Sequence, residues 1–452
     1  MGSNTNYNSI YGIQMTKYKL SAIALALMTS APALAASQAD SNGFVEDSSL
    51  DLFLRNAYMN RDYYDGRADS TEWGQGAVLT FNSGFTQGKV GFGVDAFGMY
   101  GYRLDSGRGR AGNGGIDFFM VDRELIDPAN PAAGSRITDV ERDMAHAGAA
   151  VKARFSKTVL SYGDQRPVLP VLSHDDSRLL PEAYTGTMIT SNEIDGLTVH
   201  AGRFHAQHRK SDEGRDSGEL NSIEVLGGSY QFNDNIRTAL YASDVEDVLK
   251  RQYANLNYIR PLNEGDTLTL DFSGYRTKQD KKWDGAGDRN NLWSLSANYA
   301  TGPHDFTLAY QRSSGDTGYN YGFYQNEGAV GDGGTTIWVA NSFWSDFNQE
   351  DERSWQLGYG LDFTQFGIPG LSYNIAYIRG TDIDLGANGT GTEREIFNQF
   401  KYVVQSGAAK DMSVRLRSSV LRVSNNFRNA ERNHHQDGNE VRIFIDFPMN
   451  IL

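Results

Sequence analysis

The sequence predicts an all-β protein, a transmembrane antiparallel β-barrel of about 18 strands whose long loops fold inward from one rim to form a constriction. Three observations lead there. Apolar and polar residues alternate with a period of two, tight links alternate with long ones, and the 452 residues contain no apolar run of about 18 that could cross a membrane as a helix.

The alternation recurs from segment to segment. In SWQLGYGLDF, Trp355, Leu357, Tyr359, Leu361 and Phe363 share one face of an extended chain, while Ser354, Gln356, Gly358, Gly360 and Asp362 share the other. Leu268, Leu270 and Phe272 repeat the pattern, as do Trp293, Leu295, Ala297 and Tyr299, and again Leu371, Tyr373, Ile375 and Tyr377. The opposite faces are small and polar. A soluble sandwich would alternate too, so the links decide. Tight ones (NSGFTQG, FSK, EIDG, FNDN, PLNEG, TGPH, FGIPG, QSGAAK) alternate with long ones around 62–72, 104–144, 166–185, 205–221, 243–247, 278–289, 314–352, 380–393 and 424–437. Closed hairpin chains with long loops on one rim satisfy every backbone group in lipid. Nine long loops give 18 strands. The extended piece TTIWVANSF, 335–343, would break the alternation as a nineteenth strand and is placed inside the seventh loop.

The ends and the composition fix the compartment. Lys17 and Lys19 precede LSAIALALM and then APALAA, so residues 1–35 read as a secretory signal ending at Ala33-Leu34-Ala35, with Met15 an alternative start. Residues 36–48 form a short N-terminal segment and 49–452 the barrel. The 49 glycines, 24 tyrosines and 23 phenylalanines against 10 prolines suit such a wall, and the absence of cysteine excludes disulfides, thiolate metal sites and cysteine nucleophiles.

The strand DMSVRLRSSVLRV carries three arginines. With Met412, Val414, Leu416 and Val420 in lipid, Arg415 and Arg417 point into the lumen, while Arg422 falls on the apolar face near a loop end, where it can snorkel. The same parity turns Gln399, Lys401 and Gln405 inward, then Glu440 and Arg442, and in the first strand Asp51, Arg55 and Arg61. These are the last three strands and the first, which closure makes neighbours, so cations line one wall. Guanidinium groups replace part of the hydration that a carboxylate sheds in a narrow passage. The formal charge of -14 does not oppose this, because acidic residues crowd the loops and field is local. The alternative is that these arginines pair with lumenal carboxylates merely to fill polar volume. Arg103, Lys152 and Arg154 either extend the basic surface or are solvated strand-end charges.

The segments GFVEDSSLDLFLRN, EWGQG, SGFTQGKVGFGVDAFG, SRLLPEAYTG, WSDFN, EDERSWQL, KYVVQSGAAKDMSVRLR and NEVRIFIDFPMNIL resemble the OprD-type outer-membrane carboxylate channels, the porins of pseudomonads, from about Gly43 to Leu452. The resemblance implies a monomeric 18-stranded barrel in the bacterial outer membrane, narrowed by its third and seventh loops, for uptake of small carboxylates such as aromatic or cyclic acids or amino acids. It implies a basic ladder of Arg61, Arg178, Lys401, Arg415, Arg417 and Arg442, faced by Asp346 and Ser342. Trp344 stands where members often carry tyrosine, which favours an aromatic or cyclic acid.

The expected partners are small carboxylates, outer-membrane lipid and lipopolysaccharide, with no nucleic acid and no cofactor. No reaction is expected. The rival class is a barrel enzyme, a lipase or protease, which needs a Ser or Asp beside a His at the rim; no such constellation can be assembled from the sequence. His200, His205 and His208, and the doublet His434-His435, read as solvated loop or strand-end residues rather than metal ligands. The glycine-rich 106–115 lacks a P-loop's Lys-Ser/Thr.

Overall fold

The computed structural model describes residues 37–452 apart from 65–67, 106–115, 127–128, 130–134, 219, 264, 323–324, 327–328, 331–336 and 431–436. The signal segment 1–35, the glycine-rich stretch 106–115 and the His434-His435 doublet lie outside the described residues.

Eighteen strands form one antiparallel sheet. The first six are β1 (Ser49–Tyr63), β2 (Ser70–Asn82), β3 (Val90–Arg103), β4 (Asp143–Phe155), β5 (Thr158–Gln165) and β6 (Ala183–Ser191). There follow β7 (Leu197–His208), β8 (Ile223–Gln231), β9 (Ile236–Val245), β10 (Leu249–Asn263), β11 (Asp266–Gln279) and β12 (Arg289–Thr301). The last are β13 (His304–Gly315), β14 (Arg353–Asp362), β15 (Leu371–Asp384), β16 (Thr390–Val403), β17 (Ser413–Val423) and β18 (Gly438–Asn450). Each pairs with its neighbours, and β1 pairs with β18 from Asp51↔Asn450 to Tyr63↔Gly438, which closes the ring and leaves no free sheet edge.

The side-chain parity is that of a barrel in lipid. Leu357, Leu308, Leu416, Ile443 and Phe400 are exposed on the outer face, and the residues between them along each strand face in. Aromatic residues flank the outer apolar band near the strand ends: Trp293, Tyr310 and Trp355 toward the long loops, and Phe306, Phe400 and Tyr402 toward the turns. The tight turns use their own chemistry. After β14, Asp362 caps a short 3₁₀ turn by accepting from Thr364 N at 2.7 Å, and Gly367 ends it at a φ of 81°, a backbone conformation open to glycine.

The nine links expected to be long lie on the rim opposite the turns, but the fifth (246–248) and eighth (385–389) are themselves tight, because their strands run further toward that rim; the seventh (316–352) contains Ile337–Phe343 without any barrel strand. The second (104–142), third (166–182) and seventh loops, here L2, L3 and L7, fold into the barrel. Apolar side chains drive this. Leu169, Val171 and Leu172 of L3 and Tyr319 and Ile337 of L7 pack on inward Tyr241, Tyr253 and Tyr275 of β9–β11. Leu179 and Leu180 of L3 join Phe118 and Phe119 of L2 against Ala57, Met59, Met99 and Phe444. Gly74 and Gly76 of the EWGQG segment make room: a Cβ on Gly74 would lie 2.7 Å from a Leu179 methyl. The loops thus fill the lumen from β2–β12 across to the basic wall of β16–β18 and β1, which L3 reaches at Ala57, Met59 and Phe444 and L7 at Tyr63 and Leu421.

Candidate constriction and its basic wall

Register places the cations. Lys401 of β16 lies opposite Arg415 of β17, which lies opposite Phe444 of β18. One step along, Gln399, Arg417, Arg442 and Met59 form a row. The next row holds Ser419, Glu440 and Arg61. Arg417 and Arg442 are therefore like charges directly across from each other, an arrangement that costs energy unless anions compensate.

Glu440 supplies much of that compensation. It accepts from Arg442 at 2.5 and 2.9 Å as a two-point pair, and from Arg61 Nε at 2.8 Å, with its own side chain 1% exposed. Arg61 also stacks on Trp344 of L7 at 5.6 Å. Arg415 and Arg417 are held differently. Arg415 sits over the Phe444 ring at 5.0 Å, with Asp446 3.9 Å away, and its side chain is 37% exposed. Arg417 sits over Phe397 at 4.7 Å, and its Nε has no hydrogen-bond partner. Lys401 is exposed near the turn-side end of β16.

L3 brings Arg178 to this wall, close enough to repel Arg442. Its guanidinium donates to Ile116 O and, at 2.7 Å, to Ser177 Oγ. Arg55 secures the loop, donating to Asp176 at 2.9 Å, to the Arg178 carbonyl at 2.8 Å and to Asp446 at 2.8 Å. Behind it, Lys210 and Asp175 form a buried pair at 2.9 Å.

L7 carries the acidic side. Asp346 is partly buried, accepting from Ser342 Oγ at 2.5 Å and from the Tyr321 hydroxyl. Burial raises its pKa from the ordinary value, against those two hydrogen bonds and the attraction of Arg417 and Arg442. Asp346 and Ser342 are thus brought together, each engaged with the other. The L7 backbone is tethered to the wall, with Trp344 N and Ser345 N donating to Glu395 at 3.1 and 2.9 Å.

Trp344 is 4% exposed and packs against Tyr63 and Leu421, so its ring seats L7 on the wall. Lys152 and Arg154 face the lumen at the turn-side mouth: Lys152 pairs with Asp95 at 2.5 Å, and Arg154 donates to Gln38 at 3.0 Å and packs over Phe85. Arg103 reaches the Val140 carbonyl at 3.4 Å.

These features coincide with a known family. A family model described as outer membrane porin, OprD family, matches residues 42–451. The chain belongs to the OprD family of outer-membrane porins. It is 39% identical to Porin D of Pseudomonas aeruginosa, the alignment covering 97% of this chain and all of that one. The crystal structure of Acinetobacter baumannii OccAB1 superposes with a TM-score of 0.81 at 36% identity, covering 92% of this chain and all of that one. Pseudomonas aeruginosa OpdK, crystallised with vanillate, superposes with a TM-score of 0.76 at 28% identity, covering 90% of this chain and all of OpdK. This OprD-family porin is accordingly a substrate-specific channel of the bacterial outer membrane, and the barrel-enzyme alternative finds no support among these relatives. His200 bonds the Tyr241 hydroxyl at 3.0 Å and His208 stacks on His146. Among the described residues no group of three or more His, Asp or Glu could hold a metal ion.

The sequence left three members of this porin's constriction unassigned. Arg55 was legible as inward, but nothing local marks it as the L3 strap. Glu440 was likewise legible as inward, and its pairing across the closure was not. Tyr321 had no signal, because its partner Asp346 lies 25 residues away within a loop without periodicity.

Proposed function

We propose that this porin passes small carboxylate-bearing molecules down their gradient along Arg61, Arg178, Lys401, Arg415, Arg417 and Arg442, past Asp346 and Ser342 of L7. The channel is read as a monomer on its likeness to the OprD family. One observation carries the proposal. Arg415 and Arg417 are supported from beneath by aromatic rings while their N–H edges lack a close carboxylate: the nearest ion pair of Arg415 is 3.9 Å long, and Arg417 has none among the described residues. Were the whole wall there only to fill polar volume, Arg415 and Arg417 would be paired as closely as Arg61 and Arg442 are with Glu440. A passing carboxylate supplies the missing acceptor, and its hydration is replaced as it advances. The vanillate in the OpdK structure is itself a carboxylate, which supports the same class here.

The test compares benzoate, read as planar-bilayer current and liposome swelling, with an uncharged pentose, read by liposome swelling, in wild type and in the Arg415→Gln, Arg417→Gln double variant. Benzoate flux is expected to fall at least about tenfold, the effect of ~1.4 kcal/mol, with pentose flux unchanged. Equal flux of benzoate through both proteins would remove the ladder from the mechanism.

A further inference from the structure

The lumenal wall accounts for the inward arginines and leaves a second set unexplained. On the outer face at the loop rim, Arg312 of β13, Arg353 of β14, Arg379 of β15, Arg394 of β16 and Arg422 of β17 occupy five consecutive strands. Parity fixes their direction. Arg353 alternates with buried Ser354 and Gln356 and shares its face with exposed Trp355 and Leu357; Arg394 lies between buried Glu393 and Glu395 and shares its face with exposed Ile396.

Register sets them against one another. Arg379 lies opposite Arg394, which lies opposite Arg422, and Arg312 lies opposite Arg353. Directly opposed side chains are about 5 Å apart at Cβ, where like charges repel. The protein provides little relief. Arg353 has Asp382 at 3.8 Å, both half-exposed. Arg422 is held by neutral groups: the Gly438 carbonyl at 2.7 Å, Asn439 at 3.0 Å and the Tyr64 hydroxyl at 2.9 Å. Arg379 and Arg394 have no ion pair among the described residues, and Arg312 Nε has no hydrogen-bond partner. Such a crescent repels itself and attracts external anions.

Its height names them. Trp355 lies opposite Arg379, and Trp293 opposite Arg312, so the arginines lie among and just beyond the aromatic residues that mark the membrane interface. In the turn-side halves of the same five strands, the outward positions carry no Lys or Arg. The charge is one-sided, as is this bilayer, whose outer leaflet holds phosphorylated glycolipid. Guanidinium is weakly hydrated and its fork matches phosphate oxygens.

We propose that Arg312, Arg353, Arg379, Arg394 and Arg422 form a docking surface for the phosphate groups of the outer-leaflet glycolipid, lipopolysaccharide, on the lipid-facing wall outside the pore. The surface makes the lipid expectation specific and does not depend on what the channel passes. Native mass spectrometry of the purified porin in detergent tests it, with bis-phosphorylated lipid A and its dephosphorylated form as probes. The wild type is expected to retain bis-phosphorylated lipid A at least tenfold more tightly than the dephosphorylated form. The Arg379→Gln, Arg394→Gln, Arg422→Gln variant should lose that margin and keep wild-type single-channel conductance, and Lys410→Gln, at a turn, should change nothing. Equal retention of both probes by the wild type overturns the proposal without any variant. So does a conducting triple variant that retains bis-phosphorylated lipid A as the wild type does.

Discussion

Glu440 shows how much one side chain can carry in a wet but narrow interior. It binds two arginines, Arg61 and Arg442, from opposite sides of the barrel closure, and it is nearly inaccessible to solvent. Removing one member of a buried ion-pair set strands the rest and costs about 3–5 kcal/mol. Glu440→Gln is therefore expected to lower the stability of the barrel by that order, read as the urea midpoint of unfolding from vesicles. By contrast Arg417→Gln, whose guanidinium lies over Phe397 without an ion pair, should leave the midpoint within about 1 kcal/mol of wild type. Parity made both residues legible as inward. It could not rank them, because the ranking comes from a carboxylate hundreds of positions away in the chain from Arg61, and strand periodicity holds no information on such partners.

L3 and L7 each carry a buried carboxyl, and the two are shifted in opposite directions. Burial alone would raise Asp175, but Lys210, Arg178 and a hydrogen bond from Ser177 hold it well below its ordinary value. Glu352, at the end of L7, is pushed well above its ordinary value, by burial first and by neighbouring Glu393 second. The linkage signs follow. A depressed carboxyl contributes stability above its unfolded pKa of 3.8 and loses it as pH falls through the folded one. A raised carboxyl contributes fully below its unfolded pKa of 4.5 and loses that contribution as pH rises through the folded one. Acidifying from neutral pH toward 4.5 should thus raise the Glu352 contribution to L7, while the Asp175 contribution to L3 is lost only below 3.8 and His174 of L3, lowered from 6.5 by burial, loosens that loop over the same interval. Hydrogen exchange of the L7 amides should slow over that interval in wild type and slow less in Glu352→Gln, where raised Asp346 remains. A pH effect undiminished in Glu352→Gln would place the titrating group elsewhere. The inward folding of these loops came from a family likeness rather than from spacing, since loop packing follows shape. Trp344 is the instance: its identity suggested a lumenal aromatic, and its contacts put it against Tyr63 and Leu421.

At the scale of the whole barrel, the outer face is a hydrocarbon surface and the inner face a polar one, so a charge is tolerated according to its parity. Leu357→Arg, outward and halfway along β14, should cost about 2–4 kcal/mol in folding into bilayers. Ser354→Ala, inward on the same strand, should leave the barrel able to insert, with the loss confined to the hydrogen bond from Asn341 at 2.8 Å. Here the sequence was most legible. The strand count, the alternation of turns and loops and the facing of Arg415, Arg417 and Arg442 all follow from a period of two, because lipid on one side and water on the other impose it on every strand.

Four of the cationic side chains, Arg61, Arg415, Arg417 and Arg442, are clustered where the head and tail of the polypeptide are stitched together, and Glu440 bonds Arg61 across 379 positions of chain. On the proposed ladder, a partly zipped intermediate has its cations split between two loose ends, and such a protein gains its sieve only at the instant it becomes watertight.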